Sequence, residues 1–245
     1  MANNAKDNCN KLHEAEYPGR AILMGLTPSG RDFVQLYWTM GRSENSKNRI
    51  LVKKDGFVKT VPKFETKEMI MKNLIIYNIS YQVGNYHIIS NGVQTDTIVE
   101  YLSEDKTFEA ALSQWKHEDD PPILTPRISG IAKIDSSNHS YTYQFGIIKS
   151  DKDNPEHSSM HIHTYRTATP GQALCIHTYD LSQVCSSFSG EPYPVLTFND
   201  IDEMTDYYWE LISPDYRVGL YTKYINLEDG SVKERLYNRP AEGII

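Results

Sequence analysis

Three polar segments of the sequence hold more arginine, amide, hydroxyl and carboxylate side chains than a loop needs for solvation. The first, residues 41–49, reads Gly-Arg-Ser-Glu-Asn-Ser-Lys-Asn-Arg and follows a run of strand-forming residues. Guanidinium groups bind phosphate oxygens through paired hydrogen bonds, and hydroxyls and backbone amides complete such sites. The segment predicts anion binding by Arg42, Ser43 and Arg49. A charged, solvated loop is the competing interpretation.

The second segment, residues 90–96, reads Ser-Asn-Gly-Val-Gln-Thr-Asp and joins a predicted strand to a predicted helix. Glycine allows a turn with positive φ, and the amides that follow open a helix N-terminus, which attracts anions and polar ligands. We expect ligand contacts from Asn91, Gly92, Thr95 and Asp96. A strand-to-helix turn capped by Thr95 or Asp96 explains the same residues.

The third segment, residues 118–130, begins with Glu-Asp-Asp-Pro-Pro and leads to an arginine at the start of a strand. Carboxylates can transfer protons, and the two prolines make the turn between them and Arg127 rigid. The pattern predicts that Glu118 and Arg127 belong to a site. An acidic helix end that forms an ion pair with Arg127 is the alternative.

Two further patterns contain residue types that can act in catalysis or bind a metal. His161 and His163 lie on one face of a predicted strand, but the spacing provides no acidic third ligand, so we predict no metal site. Cys175 and His177 alternate in the same way, and we interpret them as buried structural residues rather than a catalytic dyad. The sequence has neither a G-x-x-x-x-G-K-[ST] loop nor a G-x-G-x-x-G motif, which leaves nucleoside-triphosphatase and Rossmann interpretations without support.

Composition limits the class of protein. The 245 residues are 39% hydrophobic and 23% charged, enough apolar residues for a sizeable core. A net charge of −7 argues against a nucleic-acid or anionic-membrane partner, although a few arginines can still bind one small anion. Three cysteines without CxxC spacing, and no signal peptide or apolar span, predict a soluble protein of the reducing cytoplasm.

Alternating apolar and polar residues predict a protein built of hairpins. Strands are predicted at 21–27, 33–40, 49–54, 74–83, 86–90, 127–135, 141–149, 160–166, 173–179, 217–226 and 231–237. Helices are predicted at 95–102, 108–115 and from an N-cap at Asp200 to about Ile212. Residues 1–16 are predicted to form a loose polar arm, and residues 17–245 a single domain. Strands followed by helices, twice along the chain, indicate an α+β sandwich of two sheets with helices outside.

Several short motifs recur in one order: Tyr17-Pro18-Gly19-Arg20, Gly41-Arg42-Ser43, Asn48-Arg49, Tyr77-Asn78, Asn91-Gly92 with Thr95-Asp96, and Thr125-Pro126-Arg127-Ile128 with Gly130. Their order and approximate spacing resemble the archaeal-type IMP cyclohydrolases over residues 17 to about 165. The C-terminal third is longer than expected for archaeal members, and this length resembles bacterial relatives.

This resemblance implies a four-layer αββα sandwich like that of the N-terminal-nucleophile hydrolases, without their N-terminal nucleophile. It implies that the chain binds a small purine nucleotide and converts 5-formamidoimidazole-4-carboxamide ribonucleotide to IMP. Water is lost in this last step of de novo purine biosynthesis, and no metal or redox cofactor takes part. A homo-oligomer is compatible with it.

The same resemblance supplies candidates for each role. Catalysis is assigned to Arg49, Tyr77 as the donor to the formyl oxygen, and Glu118 as the proton-transfer group, with Glu100 as its rival. Substrate binding is assigned to Arg20, Arg42, Ser43, Asn91, Gly92, Thr95, Asp96 and Arg127, with the arginines at the phosphate or formyl oxygen.

Two other functions remain open from the sequence. One is an amidohydrolase on the same fold that acts on another C–N bond, and loss of the residues before Cys9 would favour it. The other is a purine-nucleotide sensor that kept the arginines and lost catalysis, which only a turnover assay would distinguish.

Overall fold

The computed structural model describes residues 2–64, 76–182 and 185–240 of the chain. In chain order the elements are α1 (Ala2–Glu14), β1 (Ala21–Leu26), β2 (Asp32–Met40), α2 (Glu44–Lys47), β3 (Arg49–Lys54), β4 (Phe57–Pro62), β5 (Asn78–Val83), β6 (Tyr86–Ser90), α3 (Gln94–Ser103), α4 (Phe108–Leu112), β7 (Arg127–Asp135), β8 (Ser140–Ser150), β9 (Ser158–Tyr165), β10 (Gln172–His177), β11 (Tyr193–Leu196), α5 (Ile201–Leu211), β12 (Arg217–Asn226) and β13 (Val232–Asn238).

The strands form two antiparallel sheets. The six-stranded sheet has the order β11-β10-β1-β2-β12-β13, and the seven-stranded sheet has the order β3-β4-β5-β6-β7-β8-β9. The seven-stranded sheet is a meander, because each strand pairs with the next one along the chain. This architecture confirms the predicted mixed α+β sandwich.

Apolar side chains pack in three layers. The layer between the sheets contains Ile22 and Met24 of β1 against Ile89 of β6 and Phe145 of β8. A second layer lies between the six-stranded sheet and helices α1 and α5, and a third between the seven-stranded sheet and helices α3 and α4. Residues of β1 are buried on both faces because that sheet is covered on both sides. The likeness to N-terminal-nucleophile hydrolases stays a prediction.

The prediction of a loose N-terminal arm is wrong for the described residues. Ala2–Glu14 forms helix α1, and Ala5, Cys9 and Leu12 are buried. Their spacing of four and three residues places them on one helix face, which packs against β11. The sequence analysis missed this helix because the stripe is narrow and every other face is polar.

Other differences lie at element ends and edges. Strands β4 and β11 were not predicted, and β11 tolerates Pro194 because it is an edge strand of its sheet. The predicted helix 108–115 ends at Leu112. Residues 74–75 of the predicted strand 74–83 lie outside the described residues, and β5 begins at Asn78. Among the residues that the structure describes, no helix is long and apolar enough to cross a membrane.

Strand ends from both sheets meet at one end of the sandwich. In the six-stranded sheet, the start of β1 lies beside the ends of β2 and β10. In the seven-stranded sheet, the start of β7 lies beside the ends of β6 and β8. Side-chain hydrogen bonds between Tyr37 and Tyr77, and from Arg49 to the Met40 carbonyl, join the two sheets here. Residues from each of the three polar segments singled out in the sequence therefore lie at this end of the sandwich.

Candidate functional site

A cluster of buried polar side chains fills this end of the sandwich. It contains Arg20, Arg49, Tyr77 and Glu118, and the exposed fractions of Arg49 and Glu118 are both 1%. Arg20 precedes β1, Arg49 begins β3, Tyr77 precedes β5, and Glu118 lies between α4 and β7. The four groups lie close enough for their charges to act on one another. The fold thus unites all three predicted catalytic residues with one predicted binding residue.

The two buried arginines of the cluster have unused hydrogen-bond donors. The Nη2 of Arg49 donates to the Met40 carbonyl oxygen over 3.0 Å. The Nε and Nη1 of Arg49, and the Nε of Arg20, are buried and have no hydrogen-bond partner among the described residues. Leaving charged donors buried and unpaired costs folding free energy, so such atoms are typical of a site completed by a ligand.

Tyr77 is held by backbone and side-chain contacts. Its amide donates to the Thr60 hydroxyl over 2.9 Å, and its own hydroxyl lies 2.9 Å from that of Tyr37. Burial alone would raise the pKa of Tyr77, but the charges of Arg49 and Arg20 and the hydrogen bond with Tyr37 lower it. Burial raises the pKa of Tyr37 well above its ordinary value. Tyr77 is therefore the more acidic hydroxyl of the pair.

Glu118 is a buried carboxyl group with a raised pKa. Its amide donates to the Thr125 carbonyl over 2.9 Å, which fixes the turn between them. Burial raises the pKa of its carboxyl to about 7, against the opposing charges of Arg20 and Arg127. A group with a pKa near the working pH can both accept and return a proton.

Arg127 is fixed beside Glu118. Its Nη1 lies 3.8 Å from the Glu118 Oε1 and donates to the Gln94 Oε1 over 3.0 Å. Its Nε donates to the Lys116 carbonyl over 2.8 Å, and its guanidinium carbon lies 4.8 Å from the centroid of the Trp115 ring. These contacts hold the positive charge of Arg127 beside the Glu118 carboxyl.

Gly92 is needed for the close approach of its neighbours and not for a positive φ. The expectation of positive φ at Gly92 is wrong, because the positive-φ glycines of the described chain do not include it. A Cβ at this position would lie 2.4 Å from the Gln94 Oε1 and 3.0 Å from the Arg127 Nη1. Glycine therefore lets the Gln94–Arg127 pair approach the backbone.

The other residues of the second polar segment have partners within the fold. Asn91 accepts from the Ile128 amide over 2.6 Å and donates to the Pro126 carbonyl over 3.2 Å. The Thr95 hydroxyl donates to the Gly92 carbonyl over 2.7 Å, while Asp96 is exposed and accepts from Asn78 over 2.6 Å. They build the wall of the site, and direct substrate contact by them stays a prediction.

Arg42 and Ser43 lie outside the buried cluster. Both are exposed, and the Ser43 hydroxyl caps α2 by accepting from the Ser46 amide over 3.2 Å. The Arg42 guanidinium carbon lies 4.9 Å from the centroid of the Tyr17 ring, which in turn stacks on Tyr179 at 5.7 Å. Arg42 thus belongs to the rim.

Glu100 is exposed on α3, so Glu118 is the carboxylate that lies in the cluster.

Sequence reasoning missed Tyr37 and Tyr179. Tyr37 lies among the apolar residues of β2, where an aromatic residue is usually core. The Tyr179 hydroxyl lies 2.8 Å from that of Thr125, whose Oγ1 also donates to the Asp120 carboxylate over 2.5 Å. The one signal available was the number of tyrosines, 17 in all, which does not say which of them face a site.

The two patterns set aside in the sequence have ordinary partners. His163 Nδ1 lies 3.1 Å from a Glu191 carboxylate oxygen that the spacing did not reveal. Even so, the described part of the chain contains no group of three or more His, Cys, Asp and Glu side chains placed to hold a metal. The Cys175 thiol donates to the Ile176 carbonyl over 3.8 Å, and the His177 ring hydrogen-bonds the Tyr179 carbonyl over 2.5 Å.

Comparison with known proteins gives one family. A family model described as IMP cyclohydrolase-like protein matches residues 17–230. The match extends well beyond residue 165, where the motif resemblance was expected to fade. No curated protein matches the chain.

Proposed function

Since the chain belongs to this IMP cyclohydrolase-like family, we propose that it cyclises 5-formamidoimidazole-4-carboxamide ribonucleotide to IMP, the last step of de novo purine biosynthesis. One observation carries the proposal. The charges of three guanidiniums, those of Arg20, Arg49 and Arg127, act on a single buried carboxyl, that of Glu118, whose pKa is about 7. This surplus of buried positive charge favours a ligand that is anionic or becomes so during reaction.

The reaction needs orientation, a proton path and a donor for one oxygen. The carboxamide nitrogen attacks the formyl carbon of the same molecule, so much of the barrier is entropic and is lowered by correct positioning. A C–N bond forms and the formyl oxygen gains negative charge. That oxygen then leaves as water, with one proton from the carboxamide nitrogen and one from the formamido nitrogen.

The cluster offers one group for each requirement. Tyr77 donates its hydroxyl hydrogen toward the developing oxyanion, and the free Nε and Nη1 of Arg49 stabilise the same charge. Glu118 takes the proton from the attacking nitrogen and returns it to the leaving oxygen. Arg127 positions Glu118, and Tyr37 orients Tyr77.

The remaining predicted contacts are assigned by their place around the cluster. Arg20 lies toward the reacting groups. Asn91, Gly92 and Thr95 fix the backbone of the segment next to Arg127. Arg42, Ser43 and Asp96 are exposed and contact substrate only at the rim.

A turnover assay tests the proposal. Purified protein is incubated with the formamido nucleotide, and IMP is detected by ultraviolet absorbance and mass spectrometry, with Glu118→Gln as the inactive control. Formation of IMP supports the proposal. Release of formate with the 5-amino nucleotide would identify an amidohydrolase instead, and nucleotide binding without any product would identify a sensor. Cys9, whose release as a new N-terminus would favour the amidohydrolase alternative, lies buried within α1.

A further inference from the structure

A polar cavity is built from chain segments that neighbour those of the buried cluster. It has a volume of about 390 Å³ and is lined by Lys149, Ser150, Lys152, Ser186, Ser187 and Ser189. Two residues of its wall connect it with the cluster. Asp180 directly follows Tyr179, and Ile123 belongs to the turn between Asp120 and Thr125 that holds Glu118. Its volume is that of a small-ligand site.

The donors of this cavity are largely unused. The hydroxyls of its serines at 150, 186, 187 and 189 make no side-chain hydrogen bond with any residue that the structure describes. The Lys152 ammonium likewise has no hydrogen bond within the described chain, and Lys149 Nζ makes one, to the Phe188 carbonyl over 3.1 Å. Ammonium and hydroxyl groups that converge on one space are typical of phosphate binding.

The charge of the lining favours an anion. Two lysines face one carboxylate, that of Asp180, whose Oδ1 already accepts from the Ser182 amide and hydroxyl over 2.9 and 2.8 Å. Burial and the neighbouring charge of Lys152 lower the pKa of Lys149, so a bound anion would relieve a repulsion between the two ammonium groups.

We propose that this cavity binds the 5′-phosphate of the nucleotide, while the buried arginine cluster holds its formamido end. The inference rests on the proposed function and divides the substrate between two neighbouring sites. A phosphate dianion keeps part of its hydration beside the half-buried Lys149 and the exposed Lys152, whereas full burial among Arg20 and Arg49 would cost far more solvation free energy. The buried guanidiniums then remain available for charge that develops during ring closure.

Another cationic cavity, of about 350 Å³, is lined by Lys47, Lys63 and Arg239 and is the competing phosphate site. Its cations already have partners. Lys47 lies 5.7 Å from the centroid of the Tyr216 ring, Lys63 donates to the Pro240 carbonyl over 3.1 Å, and Arg239 donates to the Asp215 carbonyl over 3.1 Å. The cavity at Lys149 and Lys152 has the larger set of free donors.

The test compares the binding of IMP with that of inosine, which lacks only the phosphate, by titration calorimetry. Four proteins are titrated: wild type, the double variant Lys149→Ala with Lys152→Ala, Lys63→Ala, and Lys133→Ala as a control on the exposed face of β7. We expect the double variant to lose at least about tenfold in IMP affinity and to keep wild-type inosine affinity, since each charge-assisted contact has about that effect. The control should bind like wild type.

Cys185 provides a second readout that does not depend on turnover. It also lines the cavity, while Cys9 and Cys175 are buried. IMP, but not inosine, should slow the reaction of Cys185 with a disulfide reagent in the wild type, and this protection should be absent from the double variant. Thermal unfolding of each variant shows whether it is folded.

Three results would overturn the inference: unchanged IMP affinity in the folded double variant, equal losses for IMP and inosine, or a phosphate-dependent loss in Lys63→Ala instead. Wild-type protein that binds neither IMP nor ribose 5-phosphate would overturn it as well. The proposed reaction fails separately. Wild type that binds IMP through Lys149 and Lys152 but forms no IMP retains the phosphate site and loses the cyclohydrolase activity.

Discussion

The hydroxyl oxygens of Tyr37 and Tyr77 lie 2.9 Å apart, one from each sheet of the sandwich. Either hydroxyl can be the donor in this hydrogen bond. The charges of Arg49 and Arg20 lower the pKa of Tyr77, whereas burial raises that of Tyr37. When Tyr37 donates, the hydroxyl hydrogen of Tyr77 is free for a third group, so the packing of the two sheets supplies Tyr77 with a partner that its own sheet does not.

Replacing Tyr77 by phenylalanine tests this donor. Tyr77→Phe keeps the ring packing and removes the hydroxyl, so we expect kcat to fall roughly ten- to a hundredfold with little change in KM. Steady-state kinetics with the formamido nucleotide measure both constants. The matched control is Tyr143→Phe, a buried tyrosine of the same inner layer whose hydroxyl donates to the Thr167 carbonyl. Lower thermal stability with normal kcat in Tyr77→Phe would make Tyr77 a core residue only.

Arg49 and Arg42 were predicted from the same loop, but only Arg49 is buried. Arg49→Ala removes two free donors from the cluster, so kcat/KM should fall on the order of ten- to a hundredfold, as for loss of one charge-assisted contact. Arg42→Ala, at the rim, should have a much smaller effect. Equal kinetics for wild type and a folded Arg49→Ala would exclude Arg49 from the site.

The raised pKa of Glu118 predicts a pH dependence of stability. Its pKa of about 7 in the folded protein lies above the ordinary value of 4.5, because burial disfavours the charged form. The protonated Glu118 carboxyl therefore makes its full contribution to the free energy of unfolding below pH 4.5. This contribution is lost as the pH rises through 7. Between pH 4 and pH 8, the wild type should lose about 3 kcal/mol of unfolding free energy relative to Glu118→Gln.

Urea unfolding of both proteins across this range, in buffers without phosphate, measures the difference. Glu100→Gln, which alters an exposed carboxylate on α3, serves as the control and should follow the wild-type profile. If Glu118→Gln and wild type keep a constant difference from pH 4 to pH 8, the carboxyl titrates alike in the folded and unfolded chains.

A substitution at Gly92 tests the contact between Gln94 and Arg127, the arginine beside Glu118. A Cβ at Gly92 overlaps with the Gln94 Oε1, so Gly92→Ala should displace Gln94 from Arg127 and destabilise the protein by about 1–3 kcal/mol. We expect kcat/KM to fall as well, because Arg127 positions Glu118. In a Gln94→Ala background the overlap with the Gln94 side chain is absent and only the 3.0 Å approach to the Arg127 Nη1 remains, so adding Gly92→Ala should cost much less than it does in the wild type. Additive losses in the double variant would contradict this explanation.

The sequence by itself determined much of the local structure. The bounds of β3, β6, β7 and β12 agree with the predicted strands, and Asp200 caps α5 as predicted, because alternation and capping depend only on neighbouring residues. The order of the motifs was also sufficient to predict the family, since it needs no knowledge of distances.

Only the tertiary structure decided which of these residues lie together. Glu100 and Glu118 are both carboxylates near predicted helices, yet one is exposed and the other has a pKa of about 7. Tyr37 joins the cluster because β2 and the chain before β5, forty residues apart, face each other across the sandwich. Burial, and with it the pKa of each group, depends on how distant strands pair and pack, and a local pattern of residues does not contain that information.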